Sequence, residues 1–213
     1  MTTLPPFKEA RDLALEESAS CLNVHDHLKG LSVEQLKDAS LADRLPWHTM
    51  CINVTGDINV GTMIRTSHCL GATSVIVFGR RKIDNRSLVG SANYIRLEKV
   101  NAISPDLELD PVVLKDLLSA RGLTPVFAES GGLPLPSIDW KLRISEMARR
   151  GTQPCIVMGN ETGGIPNSIL DLDRLFPNSF RVSIPQRGVI RSFNVAVAHS
   201  IIAGAMCSKM GWM

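Results

Sequence analysis

The sequence predicts an α/β domain built on a mostly parallel six-stranded sheet with helices on both faces. Six short apolar runs follow Trp47, and helical or loop segments separate them: TMCINV, SVIVFG, YIRLEKV, TPVFAES, CIVMGN and FRVSIP. Apolar strands that alternate with helices are typical of a parallel sheet covered on both sides. The 213 residues, 44% hydrophobic and 21% charged, suffice for a sizeable core.

The chain before these strands has a different pattern. Two charged segments, FKEARDLALEESASCL and SVEQLKDASLADRL, predict helices separated by Gly30. Ser32 and Gln35 have the spacing of a capping box, in which each side chain bonds the other residue's backbone N–H. We therefore divide the chain into a helical N-terminal extension, residues 1–46, and a main domain, residues 47–213.

One helix between the strands is well delimited. Asp110 can cap it, Pro111 suits its first turn, and Gly122 ends it. Its apolar face is formed by Val113, Leu114, Leu117 and Leu118.

Composition and charge exclude several classes of protein. A net charge of +2 is too small to indicate a nucleic-acid binder by itself, so any basic surface must be local. The five cysteines form no C-x-x-C pair, which argues against a disulfide framework or a zinc site. With neither a membrane-length apolar run nor a secretory signal, the sequence predicts a cytoplasmic protein, with the nucleus as the alternative.

The first of three unusual segments is NVTGDINVGTMIRTSHCLGATSVIVFG, read as strand, turn and helix. The helix is expected to begin near Asn59 and to pack through Val60, Met63, Ile64 and Ser67. Arg65 follows Asn59 by roughly 9 Å along the axis, so we expect both to flank the carboxyl edge of the sheet. The alternative is that Asn59 only caps the helix and Arg65 is only solvated.

The second segment is CIVMGNETGGIP, an apolar strand that ends in a loop with three glycines and Glu161. Such glycines allow the backbone to approach a ligand at the sheet edge where α/β proteins bind their ligands. Neither G-x-G-x-x-G nor G-K-[ST] is present, which argues against a nucleotide-phosphate site. A plain strand-to-helix turn is the alternative interpretation.

The third segment is SIPQRGVIRSFNVAVAHS, in which Ser192 is expected to cap a helix that is apolar on more than one side. That helix must pack in the core or against another subunit. Ser192 and Asn194 at its start must then bond either backbone or ligand.

Together the three segments resemble the SpoU (TrmH) family of SPOUT RNA 2′-O-ribose methyltransferases, over roughly Met50 to Met206. The matching motifs are NVGTMIRT, VMGNETGGIP and IPQRGVIRSFNVAVA, in the order the family has them. The third motif looks most like the catalytic domain of eukaryotic tRNA guanosine-18 2′-O-methyltransferases.

The resemblance implies a deep C-terminal trefoil knot, a homodimer formed through the last helix, and S-adenosyl-L-methionine as methyl donor, with S-adenosyl-L-homocysteine as product. The residues implied in donor binding are Gly159, Ile184, Ile190 and Phe193. Phe193 stands where the family more often has Leu, and TGDIN replaces a Pro-containing turn before Asn59; both departures affect shape rather than the motif residues themselves.

The resemblance also implies the catalytic set Arg65, Asn59, Glu161, Ser192 and Asn194. The family assigns proton removal to the arginine. A guanidinium with a pKa above about 12 is a costly base, so we favour Arg65 as a group that clamps phosphate and stabilises the developing alkoxide. Asn59 and Asn194 would position Arg65 and the ribose, Ser192 would bond the substrate, and Glu161 would orient the loop or the substrate.

RNA is the expected partner, with tRNA favoured over rRNA. The expected phosphate contacts are Arg80, Arg81, Lys82, Arg86, Arg187 and Arg191, although GRRKIDNR, which supplies the first four, can also be read as a solvated basic loop. No metal is expected, since His25 and His27 have no further ligands nearby in sequence. Two alternatives stay open: a non-catalytic knotted RNA-binding or docking module, and an enzyme that needs a partner protein.

Overall fold

The computed structural model describes residues 23–52, 56–79, 83, 85–101 and 109–213. The strands in these ranges are β1 (Leu45–Ile52), β2 (Ala72–Phe78), β3 (Arg96–Val100), β4 (Leu123–Pro134), β5 (Gln153–Met158) and β6 (Phe180–Ser183). The α-helices are α1 (Val33–Ala42), α2 (Asp57–Cys69), α3 (Asn85–Leu88), α4 (Pro111–Ala120), α5 (Trp140–Arg149), α6 (Asn167–Leu170) and α7 (Val195–Met210). Short 3₁₀ helices cover Asp26–Leu28, Ser91–Asn93, Leu135–Ser137 and Asp171–Leu175. The helix predicted over residues 7–22 lies outside the described ranges.

The six strands form one sheet in the order β3-β2-β1-β5-β4-β6, and every pairing between them is parallel. This confirms the predicted sheet and its strands. Since parallel strands end at the same edge, the segments that follow β1, β4, β5 and β6 come together there. All three motifs lie at that edge.

Side chains alternate across the sheet and divide the core into two layers. On β1, Trp47 and Cys51 join the layer under α2, α5 and α7, whereas Met50 and Ile52 join the layer under α4 and α6. Helices therefore cover both faces, as predicted. The lining of each layer is almost entirely aliphatic and aromatic, so burial fixes which helix face turns inward.

The described residues before β1 pack on the sheet and its helices through α1 and Arg44. The predicted capping box is present, since Ser32 Oγ accepts from Gln35 N at 3.2 Å and Gln35 Oε1 accepts from Ser32 N at 2.9 Å. The Arg44 guanidinium donates to the carbonyl oxygens of Thr73 and Tyr94, which ties the end of α1 to β2 and to the segment before β3. β1 begins at Leu45, so α1 leads almost directly into the sheet.

Asp110 caps α4 as predicted, with its carboxylate 2.8 Å from Val112 N and 3.4 Å from Val113 N. Within the ranges given above, no helix combines the length and the apolar character that crossing a membrane requires.

Candidate active site

Helix α2 carries the first motif to the carboxyl edge of the sheet. It begins at Asp57 after Gly56, two residues earlier than the expected start near Asn59. The predicted packed face is confirmed, because Val60, Met63, Ile64 and Ser67 are all buried. Asn59 is half-buried and Arg65 is exposed.

The glycine loop after β5 is a tight turn held by its own backbone. Asn160 and Gly164 exchange two N–H···O bonds of 2.9 Å each. The Asn160 side-chain oxygen also accepts from Thr162 N at 2.8 Å and from Gly163 N at 3.2 Å. Four hydrogen bonds within the loop therefore fix its backbone.

Gly159 is required by this turn. A Cβ on Gly159 would lie 2.4 Å from the carbonyl carbon of Gly164 and 2.6 Å from Ile165 N, both backbone atoms that cannot swing aside. Gly164 has φ +65, in the left-handed region that glycine adopts without strain. The loop therefore has a defined backbone conformation that requires glycine at two positions, which a plain strand-to-helix turn would not need.

Asn194, and not Ser192, caps α7. The Asn194 side-chain oxygen accepts from Ala196 N at 3.0 Å and from Val197 N at 3.3 Å, so the helix starts at Val195. The prediction that Ser192 caps α7 is wrong, because Ser192 lies two residues before the position from which a side chain reaches these N–H groups. Ser192 is exposed at the mouth of the cavity described below.

Glu161 joins the three motifs. Its Oε1 accepts from Asn59 Nδ2 at 2.7 Å and from Gly56 N at 3.0 Å. Asn59 in turn accepts at its Oδ1 from Asn194 Nδ2 at 3.1 Å. A continuous hydrogen-bonded chain thus connects α2, the glycine loop and the start of α7, and it fixes their mutual distance.

Beside this chain lies a cavity of about 700 Å³, bounded by the second half of β4, by the segments that follow β5 and β6 and by the first turns of α7. We call it the donor cavity. The predicted site residues that line it are Gly159, Glu161, Ile184, Ile190, Arg191, Ser192 and Phe193. Ile190 is 73% exposed and Phe193 43% exposed, so apolar surface stands open at its mouth.

Arg65 lies elsewhere. It lines a second cavity of about 720 Å³, which we call the Arg65 cavity, between the segment from Asn23 to Arg44 and the C-terminal half of α2. Six residues along a helix correspond to about one and two-thirds turns, so Asn59 and Arg65 point in different directions. Arg65 therefore does not line the donor cavity of its own chain, and its place in the catalytic set stays a prediction.

The Arg65 cavity is lined by basic and titratable groups. They include Arg44, His25, His27 and His68, with Asp43 as the acidic member. Burial, and then the Arg44 charge, lower the pKa of His68, while burial and Arg96 lower the pKa of Arg44. The imidazoles of His25 and His27 stack with ring centroids 5.7 Å apart.

A buried polar cluster fastens α2 and α7 to the sheet. Thr49 on β1 lies 2.8 Å from Ser67 Oγ and 2.9 Å from His199 Nε2. Burial lowers the pKa of His199 to about 4. Its other ring nitrogen, Nδ1, is buried and has no hydrogen-bond partner among the described residues.

Of the predicted phosphate contacts, Arg86, Arg187 and Arg191 are exposed, and Arg191 also lines the donor cavity. Arg80, Arg81 and Lys82 lie outside the described residues.

Two polar residues that line the donor cavity were not predicted from the sequence. Glu129 follows the buried part of β4, and its Oε2 accepts from Ile165 N at 3.3 Å. Gln186, with its amide nitrogen turned to donate, reaches the carbonyl oxygens of Ile190 at 3.0 Å and Arg191 at 3.2 Å. The signal that could have identified them is their position in the chain. Glu129 lies in the second half of β4 and Gln186 follows β6, so both are polar side chains near the ligand-binding edge of the sheet.

Solved structures share this fold. AviRb, a SpoU methyltransferase from Streptomyces viridochromogenes solved with AdoMet, aligns with TM-score 0.60 and 24% identity over 79% of this chain and 58% of its own. The TrmH/SpoU tRNA modifying enzyme of A. aeolicus aligns with TM-score 0.62 and 20% identity over 84% of both chains. An RNA 2′-O ribose methyltransferase aligns with TM-score 0.59 and 17% identity over 79% of this chain and 57% of its own. The chain thus spans less than two thirds of the first and third of these proteins.

No curated protein matches the sequence. The model of the SpoU rRNA Methylase family matches residues 46–204, which is more than half of the chain. This range contains β1 through most of α7, the whole sheet and all three motifs. The predicted resemblance is confirmed: the chain belongs to the SpoU rRNA methylase family.

Proposed function

We propose that the protein transfers a methyl group from S-adenosyl-L-methionine to a ribose 2′-hydroxyl in structured RNA, with tRNA favoured and guanosine-18 as the candidate position. The observation that carries this proposal is the hydrogen-bonded chain Gly56–Glu161–Asn59–Asn194, which assembles the three family motifs beside one cavity. Family membership supports the reaction class, and so do the methyltransferases that share the fold. We also propose a cytoplasmic location, which agrees with the free thiols of Cys51, Cys69, Cys155 and Cys207 among the described residues.

The donor cavity suits an adenosyl donor. Its volume of about 700 Å³ falls within the range of small-molecule sites. The absence of side chains at Gly159, Gly163 and Gly164 lets the loop backbone come close to a ligand in the cavity. Ile184, Ile190 and Phe193 offer apolar surface to the adenosine. The deep trefoil knot expected of the family remains a prediction for this chain.

When bound, the donor supplies a methyl group on a positively charged sulfur. The carbon–sulfur bond would break and leave its electron pair on the sulfur as the carbon–oxygen bond forms, and the hydroxyl proton would pass to water at the open mouth of the cavity. Holding the ribose oxygen close to the methyl carbon and in line with it supplies much of the rate. Glu161 and Asn194 are placed to fix the segments on either side of the cavity mouth, where Ser192 can bond the substrate.

Arg65 serves the RNA side of the reaction. A guanidinium stays charged at any physiological pH, so it can clamp a phosphate and stabilise a developing alkoxide, but it is a poor base. Arg44, although tied to two carbonyl groups, adds positive charge to the same cavity. We therefore assign the Arg65 cavity to the RNA backbone near the target ribose, together with Arg191 at the mouth of the donor cavity.

The separation of the two cavities favours a homodimer. Within one chain Arg65 does not line the donor cavity, so a second copy that brings its own Arg65 would complete the site. Ile58 on α2 is 61% exposed and Val197 on α7 is 48% exposed, and α7 carries no Asp, Glu, Lys or Arg before Lys209. Such an apolar helix fits an interface between copies. The mass in solution, measured by light scattering, checks this assignment.

The decisive experiment is transfer of labelled methyl from S-adenosyl-L-methionine to total RNA that lacks the modification, followed by nuclease mapping. Label in an alkali-resistant dinucleotide of tRNA supports the proposal, because a 2′-O-methyl group blocks alkaline cleavage of the next phosphodiester. The same label in rRNA keeps the chemistry and changes the substrate. Donor binding without transfer would point to a non-catalytic module or a missing partner protein.

A further inference from the structure

Glu129 places a carboxylate on the wall of the donor cavity. It lies on β4, between the strands whose following loops form most of that wall. Its Oε2 accepts from Ile165 N at 3.3 Å, and its Oε1 accepts from the backbone N–H and the hydroxyl of Ser130 at 3.0 and 3.1 Å. All three donors are neutral groups.

The charged side chains that line this cavity are Glu129, Glu161 and Arg191. Glu161 is engaged by Gly56 and Asn59 at the motif junction. Glu129 takes part in none of the ion pairs found among the described residues. Neutral hydrogen-bond donors stabilise a carboxylate without cancelling its charge, so Glu129 leaves a negative potential in the cavity.

We propose that Glu129 makes the cavity prefer the cationic methyl donor over its neutral product. This inference rests on the proposed function. S-adenosyl-L-methionine and S-adenosyl-L-homocysteine share the adenosine and the amino-acid group, and differ by the methyl group and one positive charge. The apolar side chains of Ile184, Ile190 and Phe193 cannot sense that charge, whereas a carboxylate in a partly enclosed cavity can.

A preference for the donor over the product helps the enzyme to begin the next round of methyl transfer. A product that keeps every contact except the charge would otherwise leave the cavity as slowly as the donor and compete with it. A carboxylate lowers the free energy of the bound cation alone, which favours exchange of spent product for fresh donor.

A purely structural role for Glu129 predicts something different. Through Ile165 N it also holds the glycine loop, and Oε2 lies 3.0 Å from where a Cβ on Gly164 would stand. If loop support were its whole role, losing it would weaken donor and product binding by the same factor. The ratio of the two dissociation constants therefore separates charge recognition from loop support.

The test is titration calorimetry of the full-length protein with S-adenosyl-L-methionine and with S-adenosyl-L-homocysteine. For Glu129→Gln we expect donor affinity to fall about fivefold relative to product affinity, the size of effect one charge exerts across a partly solvated cavity. Equal loss for both ligands, or no change in either, would overturn the proposal.

Two variants of exposed Ser130 complete the design. Ser130→Lys places a cation beside the carboxylate and leaves the Ile165 bond in place, so it should lower the donor-to-product ratio even where Glu129→Gln does not fold. Ser130→Ala removes one neutral hydrogen bond and should leave the ratio unchanged; a shift as large as that of the lysine variant would contradict the proposal. Failure of the wild type to bind either ligand would instead reject the donor assignment itself.

Discussion

The two cavities of this protein are alike in size and opposite in construction. The donor cavity is made of loops at the carboxyl edge of the sheet, whose backbone is locked by the Asn160–Gly164 pair and by Glu161. The Arg65 cavity is made of helix surfaces, with the N-terminal extension as one wall. Backbone geometry therefore sets the shape of the donor cavity, whereas charged side chains set the chemical character of the Arg65 cavity.

Helix α2 belongs to both. Asn59, in its first turn, joins the hydrogen-bonded chain beside the donor cavity, whereas Arg65, in its second half, lines the other cavity. Donor binding and RNA binding should therefore respond to different substitutions on the same helix.

Removing the Arg65 guanidinium should separate catalysis from donor binding. In Arg65→Ala we expect turnover at saturating RNA to fall about 1000-fold, the size of effect that loss of a transition-state charge partner produces. The dissociation constant for S-adenosyl-L-methionine should stay within about twofold of wild type, because Arg65 does not line the donor cavity. Single-turnover methyl transfer and calorimetry measure the two quantities.

Arg149→Ala is the matched control, since it removes an exposed arginine at the end of α5, away from both cavities. It should leave both quantities unchanged. Normal turnover in Arg65→Ala would reject the role assigned to Arg65, and a parallel loss of donor binding would reject the separation of the two cavities.

Protonation of His199 should loosen α2 and α7 together. Its folded-state pKa of about 4 lies below the ordinary value of 6.5, so in the interval between them the unfolded chain binds a proton that the folded chain excludes. The stability is present above pH 6.5 and is lost as pH falls toward 4, by about 3 kcal/mol from this group. Urea unfolding at several pH values measures the slope.

His199→Gln isolates this contribution, because it keeps a polar group near Thr49 and Ser67 but cannot titrate. The variant should lose less stability than wild type between pH 7 and pH 4.5. Some acid sensitivity should remain, since burial also lowers the pKa of His48 and His68. Identical slopes in variant and wild type would contradict the assignment.

The strands, α1, α4 and the glycine loop were all predictable, because each depends on local signals. Alternating apolar runs mark the strands, and Ser32 with Gln35 and Asp110 stand at helix-capping positions. Three glycines after an apolar strand predicted a turn at residues 159–164, although the contacts that require Gly159 are visible only in the structure. The length of β4 was not predictable. The strand continues to Pro134 across a register shift between Ala128 and Leu133 in its pairing with β6. No local sequence pattern indicates this shift.

The sequence predicts which residues form the candidate site, but it does not predict how their side chains are arranged. Ser192 and Asn194 are both good capping residues, and only the path of the chain into α7 selects Asn194. The six-residue spacing already puts Asn59 and Arg65 on different sides of α2. Only the packing around α2 shows that Asn59 bonds Glu161 and that Arg65 lines the second cavity. Glu129 has no motif, and its place in the cavity follows from strand order alone.

Gly159→Ala should damage the donor cavity and spare the other. Its Cβ would meet the Gly164 carbonyl carbon at 2.4 Å, so the loop must open and the exchanged Asn160–Gly164 bonds must weaken. We expect donor affinity to fall about 100-fold, consistent with the few kcal/mol that overpacking costs, with RNA affinity unchanged. Gly163→Ala is the control, because its Cβ meets nothing within 4 Å and should cost less than about twofold. Equal behaviour of the two variants would mean that the turn does not shape the donor site.

The smallest expected effect concerns the junction between α7 and α2. Asn194→Ala removes both the cap of α7 and the bond to Asn59, and should lower the free energy of unfolding by about 1 kcal/mol. Asn194→Asp keeps the cap but presents an oxygen to Asn59 Oδ1, so it should retain most of the stability while weakening methyl transfer through the disturbed chain to Glu161.

Ser192→Ala should leave the unfolding midpoint unchanged, because Ser192 does not cap the helix. Thermal unfolding of the three variants measures these stabilities. If Ser192→Ala lost more stability than Asn194→Ala, Ser192 would be the cap and α7 would begin earlier than Val195.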